Sequence, residues 1–130
     1  MFDKVEYWVN LCDEDLLTAK VLLAKERFLH MGFFCHLLVE KALKAVISSQ
    51  TNEVPPKIHN LITLADRSGV LPDLSEAQLN FLEKLNPLQI EARYPEHKDA
   101  IAKTLSHEKC KIICDETEDF LCWIRQRLGK

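Results

Sequence analysis

Glycine is scarce in this 130-residue chain, at three residues, and proline occurs only five times. Sheet-rich folds lean on both at their turns, so their scarcity beside plentiful leucine, alanine, glutamate and lysine favours helix. The sequence also lacks a CxxC pair. Its five cysteines, at 12, 35, 110, 114 and 122, are an odd number and all fall in expected helices, the usage of a reduced intracellular protein. No apolar run approaches the about eighteen residues that span a bilayer, and the opening MFDKVEYW lacks a charged-then-apolar signal pattern. These absences predict a soluble, cytoplasmic protein with no membrane partner. Strong charge bias is missing too: the formal net charge of -3 makes the overall field mildly repulsive to phosphate, so nucleic-acid binding needs a local basic patch. There is no GxGxxG, no GxxxxGK[ST] and no nucleophile elbow, which removes the common nucleotide and hydrolase motifs.

What is present is helical periodicity over nearly the whole length. A chain of this size suits a single domain, 1–130, able to form a core without covalent staples. The organising stretch is Gly32–Ser48, GFFCHLLVEKALKAVIS. At one hundred degrees per residue, Phe34, Cys35, Leu38, Val39, Ala42, Leu43, Ala45 and Val46 cover a broad arc, the pattern of a helix touched by several neighbours. Its narrow polar remainder is His36, Glu40 and Lys44, with Lys41 beside them. Glu40 precedes Lys44 by one turn, the favourable order for an ion pair, and a ladder of His, Glu and Lys on a largely buried helix can line a site.

Ahead of this stretch, Val5 to Phe28 reads as a long first helix, with Asp13, Glu14 and Asp15 on a solvated side and a break at His30–Gly32. After Gln50, TNEVPPKIHN is a loop, because two prolines cannot continue a helix. A short third helix takes Ile58 to Ala65 and stops at Ser68–Gly69. Ser75 is a plausible N-cap for a fourth helix carrying Leu79, Leu82 and Leu85, which Pro87 kinks or ends. LQIEARYPEHKDAIAKTLS is the least periodic segment. The last helix runs from about Ser106 to Leu128 and closes on Gly129. Together these imply an all-α fold, an up-and-down antiparallel helical bundle with four main helices plus one short helix.

Chemistry-bearing residues concentrate in the irregular EARYPEHK. Arg93 offers a planar fork of donors for phosphate or carboxylate, Tyr94 a ring for stacking, and His97 and Lys98 follow. Arg93 can equally pair with a carboxylate such as Glu40 and tie the loop to the second helix. His59, after VPPKI, can donate to a loop carbonyl or enter a polar pocket. His36 beside Glu40 can transfer protons or serve as a structural group. His107, Cys110 and Cys114 share one helix face, but structural zinc prefers four ligands with paired spacing, so they read as core cysteines and no metal or cofactor is expected.

FFCHLLVEKALKAVI, VPPKIHNLITLADRSGV and EARYP, in this order and ahead of a long last helix, resemble the HEPN domain family over almost the whole chain. The resemblance implies a helical bundle that commonly forms a homodimer and often partners a minimal nucleotidyltransferase, frequently as a toxin-antitoxin module. Because the polar stripe of the central helix and the basic loop coincide with these motifs, the preferred reading is a non-catalytic module that binds a nucleotide or a nucleotidyltransferase partner through a pocket bordered by His36, Glu40, Lys44, His59, Arg93 and Tyr94. Some HEPN proteins are metal-independent ribonucleases whose motif is an arginine, four to six residues and a histidine. Here Arg93 and His97 have only three residues between them. A divergent ribonuclease using Arg93 with His97 or His36 is therefore the disfavoured alternative, RNA a possible but not favoured partner, and a purely structural dimeric scaffold a third reading.

Overall fold

The computed structural model describes residues 3–90 and 103–130, and within them the chain is all-helical. Helix α1 spans Lys4–Ala24, α2 Phe28–Gln50, α3 Leu61–Ser68, α4 Glu76–Leu85, the short α5 Pro87–Ile90, and α6 His107–Leu128. A 3₁₀ turn, Leu71–Asp73, sits between α3 and α4.

The polar side chains that bound these helices are the ones their local chemistry demands. Asp3 accepts from the Glu6 amide, Asn60 from Ile62 and Thr63, Ser75 from Gln78 and Ser106 from Lys109. Each satisfies a first-turn amide that has no intrahelical partner, a contribution of about 1 kcal/mol per cap. The Gln78 side chain returns a bond to the Ser75 amide and completes a capping box. Gly69 and Gly129 end α3 and α6 in the left-handed conformation, at φ 82° and 73°.

The boundary between α1 and α2 differs from the expected one. The first helix stops at Ala24, not Phe28, and the turn is made by Glu26 at φ 57°. The Glu26 amide donates to the Leu23 carbonyl and the Arg27 amide to the Leu22 carbonyl, the paired bonds of a Schellman motif with glutamate in the place glycine usually takes. Gly32, expected to break the chain, lies inside α2. Its role is contact: a Cβ there would sit 2.8 Å from Leu88 Cδ1, so α5 packs directly on the α2 backbone. The third helix likewise starts at Leu61 rather than Ile58, because the Asn60 carboxamide caps it.

Helix α2 packs against α1, α3, α4, α5 and α6, the arrangement its wide apolar arc predicts. Lys4 Nζ donates to the Asn52 carbonyl, 2.8 Å away, placing the end of α2 beside the start of α1. Lys130–Asp3 at 3.2 Å, Arg125–Asp13 and Lys20–Glu118 at 3.1 Å run α6 antiparallel to α1. Lys84–Glu116 at 2.6 Å and the Phe81–Phe120 ring pair run α4 antiparallel to α6. The four main helices thus alternate in direction. Helix α3 departs from the alternation and runs parallel to α2, since His59 meets Glu40 and Ser68 meets Gln50. The proline-containing loop carries the chain back to make this possible.

The core is built from Leu38, Leu43, Leu61, Leu64, Leu82, Leu85 and Ile124 with four buried cysteines. The acidic triplet of α1 is not uniformly solvated. Asp15 is buried and bonded by Lys41 at 2.8 Å, Asp13 holds Arg125, and Glu14 alone of the three is exposed. Among the described residues no helix is long and apolar enough to cross a membrane.

Candidate functional site

The hydrophilic row of α2 is buried. His36 is 0 % exposed, Glu40 5 % and Lys44 9 %, because α3, α4 and α5 close over the side of α2 that α1 leaves open. Burying charge is costly unless it is paired, and the pairing is present. Glu40 stands at the centre. Its Oε2 lies 3.4 Å from Lys44 Nζ, and its Oε1 lies 2.9 Å from Nδ1 of His59. The His59 partner is therefore a side chain of α2 rather than a loop carbonyl, and half of the imidazole remains exposed.

His36 sits behind this pair. Its Nδ1 is 3.8 Å from Glu40 Oε1, too far for a hydrogen bond, and neither ring nitrogen has a partner among the described residues. Burial pulls its pKa down to about 4, a drop that the nearby Glu40 carboxylate only partly offsets. The ring is neutral at pH 7.

Beside the cluster opens a cavity of about 220 Å³ lined by His59, Asn60, Asn86, Pro87 and Gln89. Asn86, in the break between α4 and α5, accepts the Leu61 amide at 2.8 Å and so joins the start of α3 to α5. Gln89 is 2 % exposed, and its Oε1 has no hydrogen-bond partner among the described residues. Gln89 therefore contributes to the cavity wall as a residue, while its side-chain oxygen is closed off from solvent. A larger cleft of about 430 Å³, between Lys84, Pro87, Leu88, Leu105, Ile112 and Ile113, is walled mostly by hydrocarbon and meets the smaller cavity at Pro87. Volume there is greater, but the convergent polar groups that orient a ligand are at the smaller cavity.

A family model described as the HEPN domain matches residues 5–127. The chain belongs to the HEPN domain family. No curated protein and no solved structure matches it.

Of the site residues expected in this HEPN domain, the structure brings His36, Glu40, Lys44 and His59 into one cluster. Arg93, Tyr94, His97 and Lys98 lie outside the described residues. Asn86 and Gln89 were not anticipated. They lie in an ordinary mixed stretch, LEKLNPLQI, beside the equally polar Glu83 and Lys84, so the sequence carried no signal that set them apart. The face of His107, Cys110 and Cys114 divides: His107 is exposed and meets the Phe28 ring edge-on, whereas both cysteines are buried. Burial pushes the Cys110 thiol up to about 11, keeping it protonated and a poor metal ligand. Cys122 is exposed, apart from the other four.

Proposed function

We propose that this HEPN domain is a non-catalytic module that binds a nucleotide in the cavity beside Glu40. Arg93 and Tyr94 act as further contacts, and the domain serves a minimal nucleotidyltransferase as its partner in a toxin-antitoxin-type pair. The observation that carries the reading is the Glu40 cluster: a buried carboxylate holding His59 and Lys44 next to a cavity lined by His59, Asn60, Asn86, Pro87 and Gln89. Purely structural ion pairs need no adjoining cavity, and a cavity of this kind with convergent polar groups is the usual form of a small-molecule site. In sequence, Arg93 and Tyr94 follow shortly after Ile90, the last residue of α5, which favours their contributing to the same site.

Isothermal titration of the purified protein with each nucleoside triphosphate tests this directly. Binding is expected, weakened about tenfold or more by Arg93→Ala and by His59→Ala, the range for losing one hydrogen bond to a charged or polar ligand group. Co-expression with a minimal nucleotidyltransferase is expected to yield a co-purifying complex. Absence of heat for every triphosphate together with absence of a complex would remove the reading.

A further inference from the structure

Resting on that nucleotide reading for the donor, we infer that His59 is a phosphoryl-acceptor site: Nε2 of its ring takes the terminal phosphoryl group of a nucleoside triphosphate held in the adjoining cavity.

The ring is arranged as a nucleophile. The Glu40 carboxylate only accepts, so in the neutral imidazole the proton sits on Nδ1, 2.9 Å away, and Nε2 keeps its lone pair. Nδ1 faces a buried carboxylate, yet half of the side chain meets solvent, so the open half is the opposite edge, which carries Nε2. The same residue lines the cavity of about 220 Å³. A nucleophilic group oriented by a second side chain within hydrogen-bond reach is the arrangement that covalent acceptors share.

Charge and hydrogen bonding suit a phosphoryl group. Lys44, 3.4 Å from Glu40, balances the carboxylate, so its support of the ring adds no net negative charge beside an incoming anion. Asn86 and Asn60 spend their side-chain oxygens on the amides of Leu61, Ile62 and Thr63. Their NH2 ends are what they can offer a ligand in the cavity, and these donate to phosphoryl oxygens.

In the transfer the Nε2 lone pair attacks the γ phosphorus and a nitrogen–phosphorus bond forms. The bond to the bridging oxygen breaks with its electron pair, releasing the nucleoside diphosphate. Nε2 has no proton to lose. The ring gains positive charge with Nδ1–H still against Glu40, so this positioning carboxylate bonds most strongly as the product forms. The domain is modified once and turns nothing over, in keeping with a non-catalytic module.

Two donors test this on the full chain at mildly alkaline pH: phosphoramidate, which phosphorylates imidazoles without a nucleotide site, and magnesium ATP radiolabelled at the α or the γ phosphorus. With phosphoramidate, His59 is expected to react about tenfold faster than the exposed His30 and His107 of the same molecules. Glu40→Leu combined with Lys44→Met, which leaves no unpaired buried charge, is expected to erase that lead and leave the other two rates unchanged, whereas a merely loosened fold would not slow one histidine alone. Label from the γ phosphorus is expected to be acid-labile, alkali-stable and lost in His59→Gln, and nitrogen NMR of the imidazole to show the Nδ1–H form. Equal rates at the three histidines, an Nε2–H ring, or label from the α phosphorus would overturn the assignment. ATP that binds in calorimetry but leaves no label would overturn it too, with the nucleotide site left in place. Selective phosphoramidate reaction without any ATP binding would instead remove the nucleotide reading and sustain His59 as the acceptor.

Discussion

An imidazole with 0 % exposure and no hydrogen-bond partner among the described residues makes His36 a pH-dependent load on the fold. Its pKa falls from 6.5 to about 4 on burial. Between those values the unfolded chain binds a proton that the folded chain refuses, so acid favours unfolding through His36. Its contribution to stability is whole above pH 6.5, declines as pH drops towards 4, and changes no further below that. At about 1.4 kcal/mol per pKa unit, the loss is on the order of 3 kcal/mol. Urea unfolding of wild type and His36→Leu at pH 7.5 and pH 4.5 checks it: the difference between the two proteins should move in favour of the variant at the lower pH. Glu40 gives a second test at this scale. Glu40→Gln leaves Lys44 buried without its counter-charge and is expected to cost about 3 kcal/mol. Adding Lys44→Met to the same chain should recover most of that loss in urea unfolding, because no unpaired charge then remains.

At the scale of the element, the turn joining α1 to α2 holds strain that the sequence conceals. A glutamate at φ 57° costs about 1–2 kcal/mol relative to ordinary backbone, and the Schellman bonds to Leu22 and Leu23 hold it there. Glu26→Gly is therefore expected to stabilise the protein by about 0.5–1 kcal/mol once the extra freedom of glycine in the unfolded chain is counted, read as a higher urea midpoint at unchanged slope. Helix termini were legible wherever one side chain acts on its own neighbours, as at Ser75, Ser106, Gly69 and Gly129. The α1–α2 turn was not, because glutamate carries no local preference for it, and Gly32 drew attention to the wrong place. What Gly32 does depends on Leu88, which reaches it only when α5 docks.

Over the whole molecule, α2 is the axis on which the other helices lie, and the ion pairs between α1 and α6 fasten the two ends of the chain side by side. Those pairs are largely exposed and worth at most about 1 kcal/mol each, so they orient the helices more than they hold them. The homodimer that the family resemblance implies is expected in sedimentation equilibrium as a species of about twice the 15.0 kDa chain mass; a monomer at tens of micromolar would refute it. Part of the candidate site was readable from spacing alone. His36, Glu40 and Lys44 follow one another at successive turns and must share a face in any helix. His59 joins them only because the loop returns the chain and α3 runs parallel to α2, and Gln89 is buried in the docked α5 rather than by anything in its own sequence neighbourhood.

Composition and periodicity alone determined that this chain is helical, which stretch is the central helix and which polar residues ride on it, since those follow from interactions within a few residues. Tertiary structure decided that the polar row is buried, that Glu40 faces His59, and that a cavity adjoins them. Burial and pairing are properties of neighbours distant in the chain, and no local pattern of side chains specifies which neighbours those are.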